Sequence, residues 1–256
     1  MVIYTRSILS RSLRRYKNLS YIEIFFRELS SRNVKAIIPF KKENAKSRLG
    51  DFLTEKEREE LALRMLKDVL GAVSGSKIEE VEVLSTSSKD AITEELKSDT
   101  ELKSTLKLSV REDARELNEV LNDVITKEKE PVLIIMADIP LATSQSINEL
   151  IEHEEEVVIA PGRNGGTNAL LLRRPSAFCV SYYGISCSKH IETAARGNLS
   201  YAVYDSFFIS TDIDEVEDLI EVLIHGKGFS RDYLRRIGVV LQRDKNSKRR
   251  ALIERS

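Results

Sequence analysis

Residues Val132–Leu141 read VLIIMADIPL. Val132 to Met136 form an unbroken apolar run of strand length. A strand apolar at every position is one covered on both faces, as in a parallel sheet with helices above and below. Asp138 follows at once. A carboxylate just beyond a buried strand stands where core, water and ligand meet. Mg²⁺ takes oxygen ligands, commonly one or two carboxylates together with phosphate oxygens, so Asp138 is a candidate metal ligand. The competing reading is turn chemistry, which Asp138 ahead of Pro140 also supplies. The metal reading is preferred because Ala137–Leu141 has no other need of a charge there.

Outward from this strand, helical and strand patterns alternate. Val34–Phe40 (VKAIIPF) is a short apolar strand. Thr54 and Glu57 form a capping box, and Ala62, Met65, Leu66, Val69, Leu70 and Val73 repeat behind it at helical spacing. Ile78–Leu84 alternates as a strand, and Asp113–Lys129 reads as a helix with one apolar face. Thr143–Ile151 is a helix, Val157–Ala160 a strand, and Ala169–Leu172 a further strand. Ser186–Arg196 and Asp214–Ile224 read as helices. The tail, Phe229–Ser256, reads as a short helix and a two-stranded hairpin turning near Asn246. This alternation predicts an α/β fold, a single mainly parallel sheet with helices on both faces and a C-terminal helix and hairpin. Such sheets bind ligands beyond the carboxyl ends of their strands.

Several polar clusters fall at that edge. Lys41, Lys42, Lys46 and Arg48 lie on one loop and suit a polyphosphate, Arg as a planar fork and Lys as a mobile charge; a plain solvated basic loop is the alternative. The phosphate-cradling pattern GxxxxGK[ST] is absent. Asp212 and Asp214 flank Ile213, close enough to share a divalent ion. They, with Thr211 and Glu215, equally suit the capping of the next helix. Gly162–Asn168 (GRNGGTN) offers backbone N–H groups and the Thr167 hydroxyl to an anion, or is only a turn. Gly184 and Ser186 precede a helix whose N-terminal amides suit a phosphate, or Ser186 merely caps it. His153, His190 and His225 are scattered, and Cys187 lacks an evident base and reads as a small apolar filler.

Hydrophobic residues make up 41% of the 256, enough for a sizeable core. Lys and Arg number 40 against 41 Asp and Glu, so no global charge draws nucleic acid. No run is long enough to span a membrane. Cys179 and Cys187 are too few for a disulfide framework, and a reducing cytoplasm is the expected compartment. Residues 1–33 are set apart by Arg6, Arg11, Arg14, Arg15 and Lys17. They read as a poorly ordered extension, a targeting arm, or a stretch upstream of a start at Val34, since GTG encodes valine and also serves as a start codon. The remaining residues, 34–256, form the expected domain.

In series, these pieces resemble the 2-phospho-L-lactate guanylyltransferases. The residues that carry the resemblance are AIIPF (Ala36–Phe40) with AKSRL (Ala45–Leu49), Leu117-Asn118, MADIPL (Met136–Leu141), GGTNA (Gly165–Ala169), Tyr183-Gly184 with Ser186 and His190, and STDID (Ser210–Asp214). The resemblance implies a Rossmann-like fold of the nucleotide-diphospho-sugar transferase type. It implies transfer of GMP from GTP to 2-phospho-L-lactate with release of pyrophosphate, for synthesis of the deazaflavin coenzyme F420. Bacterial relatives are thought to use phosphoenolpyruvate. By the same resemblance, Asp138, Asp212 and Asp214 are metal ligands for Mg²⁺. Thr167, Gly184 and Ser186 hold the phosphate of the three-carbon acceptor, Lys46 and Arg48 meet the triphosphate, and Ser85 and Asn118 lie near the nucleotide. Cys187 stands where many members have an aromatic residue. A sugar-phosphate or molybdenum-cofactor nucleotidyltransferase usually has a glycine-rich LAAGxGxRM-like first loop, unlike PFKKENAKSRL here. A GTP-sensing module without catalysis and a homodimer through the C-terminal hairpin complete the expectations.

Overall fold

A computed structural model of the chain describes residues 33–97, 102–242 and 252–255. The expectations for residues 1–32 and for the turn near Asn246 lie outside them. Nine strands are described: β1 Lys35–Phe40, β2 Glu80–Ser85, β3 Lys107–Glu112, β4 Val132–Ile135, β5 Val157–Pro161, β6 Thr167–Leu172, β7 Tyr201–Val203, β8 Val239–Gln242 and β9 Leu252–Arg255. The helices are α1 Glu55–Gly75, α2 Lys89–Lys97, α3 Leu117–Lys127, α4 Ser144–Ile151, α5 Ser186–Arg196, α6 Phe207–Ser210, α7 Leu219–His225 and α8 Phe229–Arg236.

Seven strands form one sheet in the order β3-β2-β1-β4-β6-β5-β7, and β8 pairs with β9 as an antiparallel hairpin. Within the large sheet β6 alone runs against its neighbours; β1, β2, β3 and β4 are mutually parallel, as are β5 and β7. Period-two alternation divides the core. Ile38, Leu133 and Ile135 pack with Leu66, Leu70 and Leu150 on the face of α1 and α4. Ile37, Ile134 and Leu170 pack with Leu121, Val124 and Ala194 on the face of α3 and α5. The all-apolar β4 is thus explained by two covered faces, and all four of its residues are buried.

A third cluster joins Leu49, Leu53, Leu61 and Met65 to Ile213, Leu219, Val222 and Leu234. It anchors the basic loop through Leu49 and the Asp212–Asp214 segment through Ile213, the latter fully buried. The capping box at Thr54 and Glu57 starts α1 as expected. The helix expected from Asp113 begins only at Leu117, because the Asp113 carboxylate takes the Arg115 N–H and guanidinium instead. The helix expected over Asp214–Ile224 is a 3₁₀ turn, Val216–Asp218, leading into α7.

Candidate active site

The carboxyl ends of β1, β4 and β5 open on one edge of the sheet. Because β6 is reversed, its first residues, Thr167 and Asn168, arrive at that same edge. The basic loop leaves β1 there with two residues in the left-handed region, Asn44 at φ 54° and Lys46 at φ 51°. For lysine this conformation costs roughly 1 kcal/mol, and here the contacts of the side chain hold it. Lys46 Nζ donates to Asp138 Oδ2 at 2.7 Å and to Asp214 Oδ1 at 2.9 Å. Burial lowers the proton affinity of this ammonium, but Asp138 and Asp214 outweigh it and hold its pKa above the ordinary lysine value. Pro39, Phe40, Ala45, Met65, Met136 and Ala137 are among the walls of a cavity of about 300 Å³ around these three charges, which Arg48 also lines.

Asp138 and Asp214 are tied together through the backbone as well, since Ile213 N–H donates to Asp138 O at 3.0 Å. With Ile213 in the core, the residues on either side turn outward. Neither Asp212 nor Asp214 caps the following turn. Glu215 is the N-cap, in a capping box with Asp218, whose Oδ2 accepts the N–H of Asp214 at 2.9 Å and of Glu215 at 2.8 Å. Arg163 binds Asp218 and the carbonyl of Asp212, bracing the segment from the loop after β5.

The three aspartates are not gathered into one cage. Among the described residues no group of three or more His, Cys, Asp or Glu side chains is arranged to hold a metal ion. Asp138 and Asp214 converge on a common cation, Lys46, whereas Asp212 turns to Asn168, whose Nδ2 donates to its Oδ1 at 3.2 Å. Burial chiefly, and then Asp138 and Asp214, raise the Asp212 pKa against the pull of Asn168. Two converging carboxylates, completed by phosphate oxygens, fit the demands of Mg²⁺.

Asn168, within the motif GGTNA, is a further residue of the site. It is the extra residue of a β-bulge: Pro161 pairs with Thr167 and Ala160 with Ala169. Bulges re-aim side chains. Here Asn168 reaches Ile209 O and Asp212, while its neighbour Thr167 reaches the other way, to Ser186 and His190 on α5. Gly162 is required beneath it, because a Cβ there would lie 2.6 Å from Asn168 Oδ1.

The other expected residues are distributed unevenly. Thr167 and Ser186 are brought together, their hydroxyls 3.2 Å apart. Gly184, at φ 61°, forms the turn into α5, where Tyr183 at φ 77° shares the left-handed region. Arg48 is exposed and lies 3.8 Å from Asp214 and 4.0 Å from Glu215. Ser85 is buried at the end of β2, where its Oγ accepts the Ser87 N–H at 3.0 Å. Asn118 is occupied elsewhere. Its Oδ1 accepts from Tyr182 N at 2.7 Å and its Nδ2 donates to Tyr182 O at 3.3 Å, and Asn122 holds Val180 in the same manner. The pair clamps the strand-like run into the Gly184 turn. Cys187 packs against the core with its thiol pKa raised by burial, as expected of a filler.

The chain matches, over residues 34–256, the family described as "Guanylyl transferase CofC like". The 2-phospho-L-lactate guanylyltransferase of Methanosarcina mazei is 44% identical over 201 residues, which is 78% of this chain and 91% of that protein. The chain belongs to this guanylyltransferase family. Another member, the 2-phospho-L-lactate guanylyltransferase of Methanocella arvoryzae, is 43% identical over 81% of this chain and 88% of its own length. Solved structures share the family's fold at low identity. A nucleotide-diphospho-sugar transferase, as it is described, from Desulfovibrio desulfuricans G20 aligns with TM-score 0.62 at 17% identity, over 79% of this chain and 94% of that one. The 4-diphosphocytidyl-2C-methyl-D-erythritol synthase of Anaerococcus prevotii aligns with TM-score 0.52 at 13% identity, over 82% and 99%.

Proposed function

We propose that this chain transfers GMP from GTP to 2-phospho-L-lactate with release of pyrophosphate, in the synthesis of coenzyme F420. The observation that supports the chemistry is the Asp138–Lys46–Asp214 set: two carboxylates and an ammonium converging in a cavity at the carboxyl edge of the sheet. The acceptor brings its own nucleophile. A phosphomonoester has a second pKa of about 6, so its oxygen is already ionised at neutral pH. That oxygen forms a bond to the α-phosphorus of GTP, and the bond from this phosphorus to the bridging oxygen breaks, its electron pair leaving with pyrophosphate. No general base is needed.

The protein's work is alignment and charge neutralisation. Asp138 and Asp214 would hold a divalent ion, which we take to be Mg²⁺, with Asp212 close behind. An ion there would supply positive charge to offset the charge on the reacting phosphates. Lys46, released from the carboxylates, and Arg48 stabilise charge on the departing pyrophosphate. Thr167, Ser186 and the Gly184 turn receive the acceptor's phosphate, and Ser85 marks the nucleotide side. The proposal extends to a cytoplasmic homodimer, with the partly exposed Val240 and Leu241 of the C-terminal hairpin as the contact. Among the described residues no helix is long and apolar enough to cross a membrane.

The test is pyrophosphate release from GTP and 2-phospho-L-lactate, with ATP and phosphoenolpyruvate substituted in turn. Nucleotide binding without pyrophosphate from either acceptor would overturn the catalytic assignment.

A further inference from the structure

His190 is fully buried beside the Thr167–Ser186 hydroxyl pair. Its two ring nitrogens meet different kinds of partner. Ser181 N–H points at Nε2 at 3.0 Å. A main-chain N–H only donates, so Nε2 must be the bare nitrogen. The ring proton is therefore on Nδ1, which lies 2.9 Å from Thr167 Oγ1. A proton on Nε2 would face the Ser181 N–H head to head, so the imidazolium does not fit. Burial, seconded by Lys189, agrees, lowering the pKa to about 4. The ring is held by Tyr182, edge to face at 5.0 Å, and by Phe178 at 5.9 Å.

The fixed tautomer settles the polarity of the hydroxyls. Three protons meet at the pair: Nδ1–H, the Thr167 hydroxyl and the Ser186 hydroxyl. The imidazole proton takes one lone pair of Thr167 Oγ1. If Ser186 donates to Thr167, the Thr167 proton is left over; if Thr167 donates to Ser186, the Ser186 proton is left over. Among the described residues neither hydroxyl has another side-chain partner, so one O–H is always left as a donor without a protein acceptor. A phosphate dianion or a carboxylate offers only acceptors.

We propose that His190 is a positioning residue that keeps the Thr167–Ser186 pair polarised as a hydrogen-bond donor toward the anionic acceptor. This rests on the reading that the pair receives that acceptor. His190 touches neither reactant and acts through Thr167.

Two variants separate this role from packing. His190→Asn keeps an N–H near the place of Nδ1 but removes ring volume. His190→Phe keeps a ring edge to face with Tyr182 but removes the donor. Both lose the partner of Ser181 N–H, so that loss cancels between them. In the full-length enzyme, H190F is expected to raise the KM for the acceptor about tenfold, leaving the KM for GTP within about twofold. H190N should recover most of the acceptor KM. A packing role predicts the opposite ranking, with H190F the better enzyme; that ranking, or an equal rise in both KM values, overturns the proposal. A second arm needs no turnover. Nitrogen-15 spectra of histidine-labelled protein should show Nδ1 protonated and Nε2 bare, and inorganic phosphate should shift the Nδ1–H signal in the wild type but not in Thr167→Val. Protonated Nε2, or no response to phosphate, overturns it. A wild type inactive with every acceptor but responding in this way sinks the activity reading alone.

Discussion

Replacing Lys46 with Met removes an ammonium that two carboxylates share. Two unit charges 4 Å apart attract by about 4 kcal/mol at an effective dielectric of about 20, and stripping one partner from a fully buried pair costs about 3–5 kcal/mol. The Lys46 side chain is only 11% exposed, but those of Asp138 and Asp214 keep 31% and 37% of their surface in water. Water therefore recovers part of the loss, and about 2 kcal/mol is the expected destabilisation in chelator-treated buffer. The same quantity should reappear with opposite sign when a divalent ion binds, because the ion no longer displaces an ammonium. At about 1.4 kcal/mol per tenfold, K46M should bind Mn²⁺ without nucleotide roughly 25-fold more tightly than the wild type. Saturating Mn²⁺ should restore much of its stability. Turnover should fall by at least about 100-fold, since the leaving pyrophosphate loses a cation. Urea denaturation with and without Mn²⁺, and calorimetric titration of the ion, measure these terms. An unchanged or weaker Mn²⁺ affinity in a folded K46M protein would refute the view that Lys46 occupies the cation position.

Asp138→Asn should abolish pyrophosphate release while leaving the thermal transition within a few degrees of wild type; near-normal transfer refutes its assignment as a metal ligand. Gly162→Ala sets a Cβ against Asn168 Oδ1 and should cost about 1–3 kcal/mol and lower kcat, through Asp212, without changing the Thr167 side of the site; a fully active variant of wild-type stability counts against the bulge as a positioning device. Asp68 of α1 accepts the first N–H groups of α8, at 2.6 Å from Phe229 and 3.0 Å from Ser230, so Asp68→Ala should lose about 1–3 kcal/mol in urea denaturation. Burial holds that carboxyl up to about 6, above its ordinary 3.8. The folded state then binds a proton more tightly than the unfolded chain, so this contribution is full below about pH 4 and is lost as pH rises toward about 6. Asp68→Asn should flatten that part of the stability curve, and an unaltered slope contradicts the assignment.

The parts of the fold legible in the sequence are those with heavy burial. The run Val132–Met136 and the spacing from Ala62 to Val73 carry their periodicity because nearly every apolar residue in them is in the core. Two edge strands and a helix left little trace. In β3 only Val110 is buried, among Lys107, Arg111 and Glu112; in β7 Tyr201 and Val203 are exposed; α2 buries only Ile92 and Leu96. Edge elements carry charge and exposed side chains, so the binary pattern thins where pairing is one-sided. The reversal of β6 was hidden for another reason, since a strand covered on both faces reads alike in either direction. For the site, the carboxylates and Lys46 stood out by position. The backbone clamp made by Asn118 was not legible, because an amide near the edge says nothing about which main chain it holds. Asn168 was concealed because a bulge is a property of register between two strands, which no single strand displays.

That bulge ties two duties to neighbouring links of one chain. In the proposed reaction Thr167 serves the acceptor side and Asn168 the carboxylate side; as successive strand residues they face opposite ways, and the bulge sets which residues of β5 they stand against. The loop from Gly162 to Gly166 is thus under a parity rule as well as a length rule. Exchanging residues 163–166 for a relative's segment of other composition that keeps the glycine at 165 should be tolerated, whereas a deletion that draws β6 back by one residue would hand each partner the other's side chain. A lineage acquiring a new acceptor is freer to redraw the α5 side, residue by residue, than to change the count of residues entering β6.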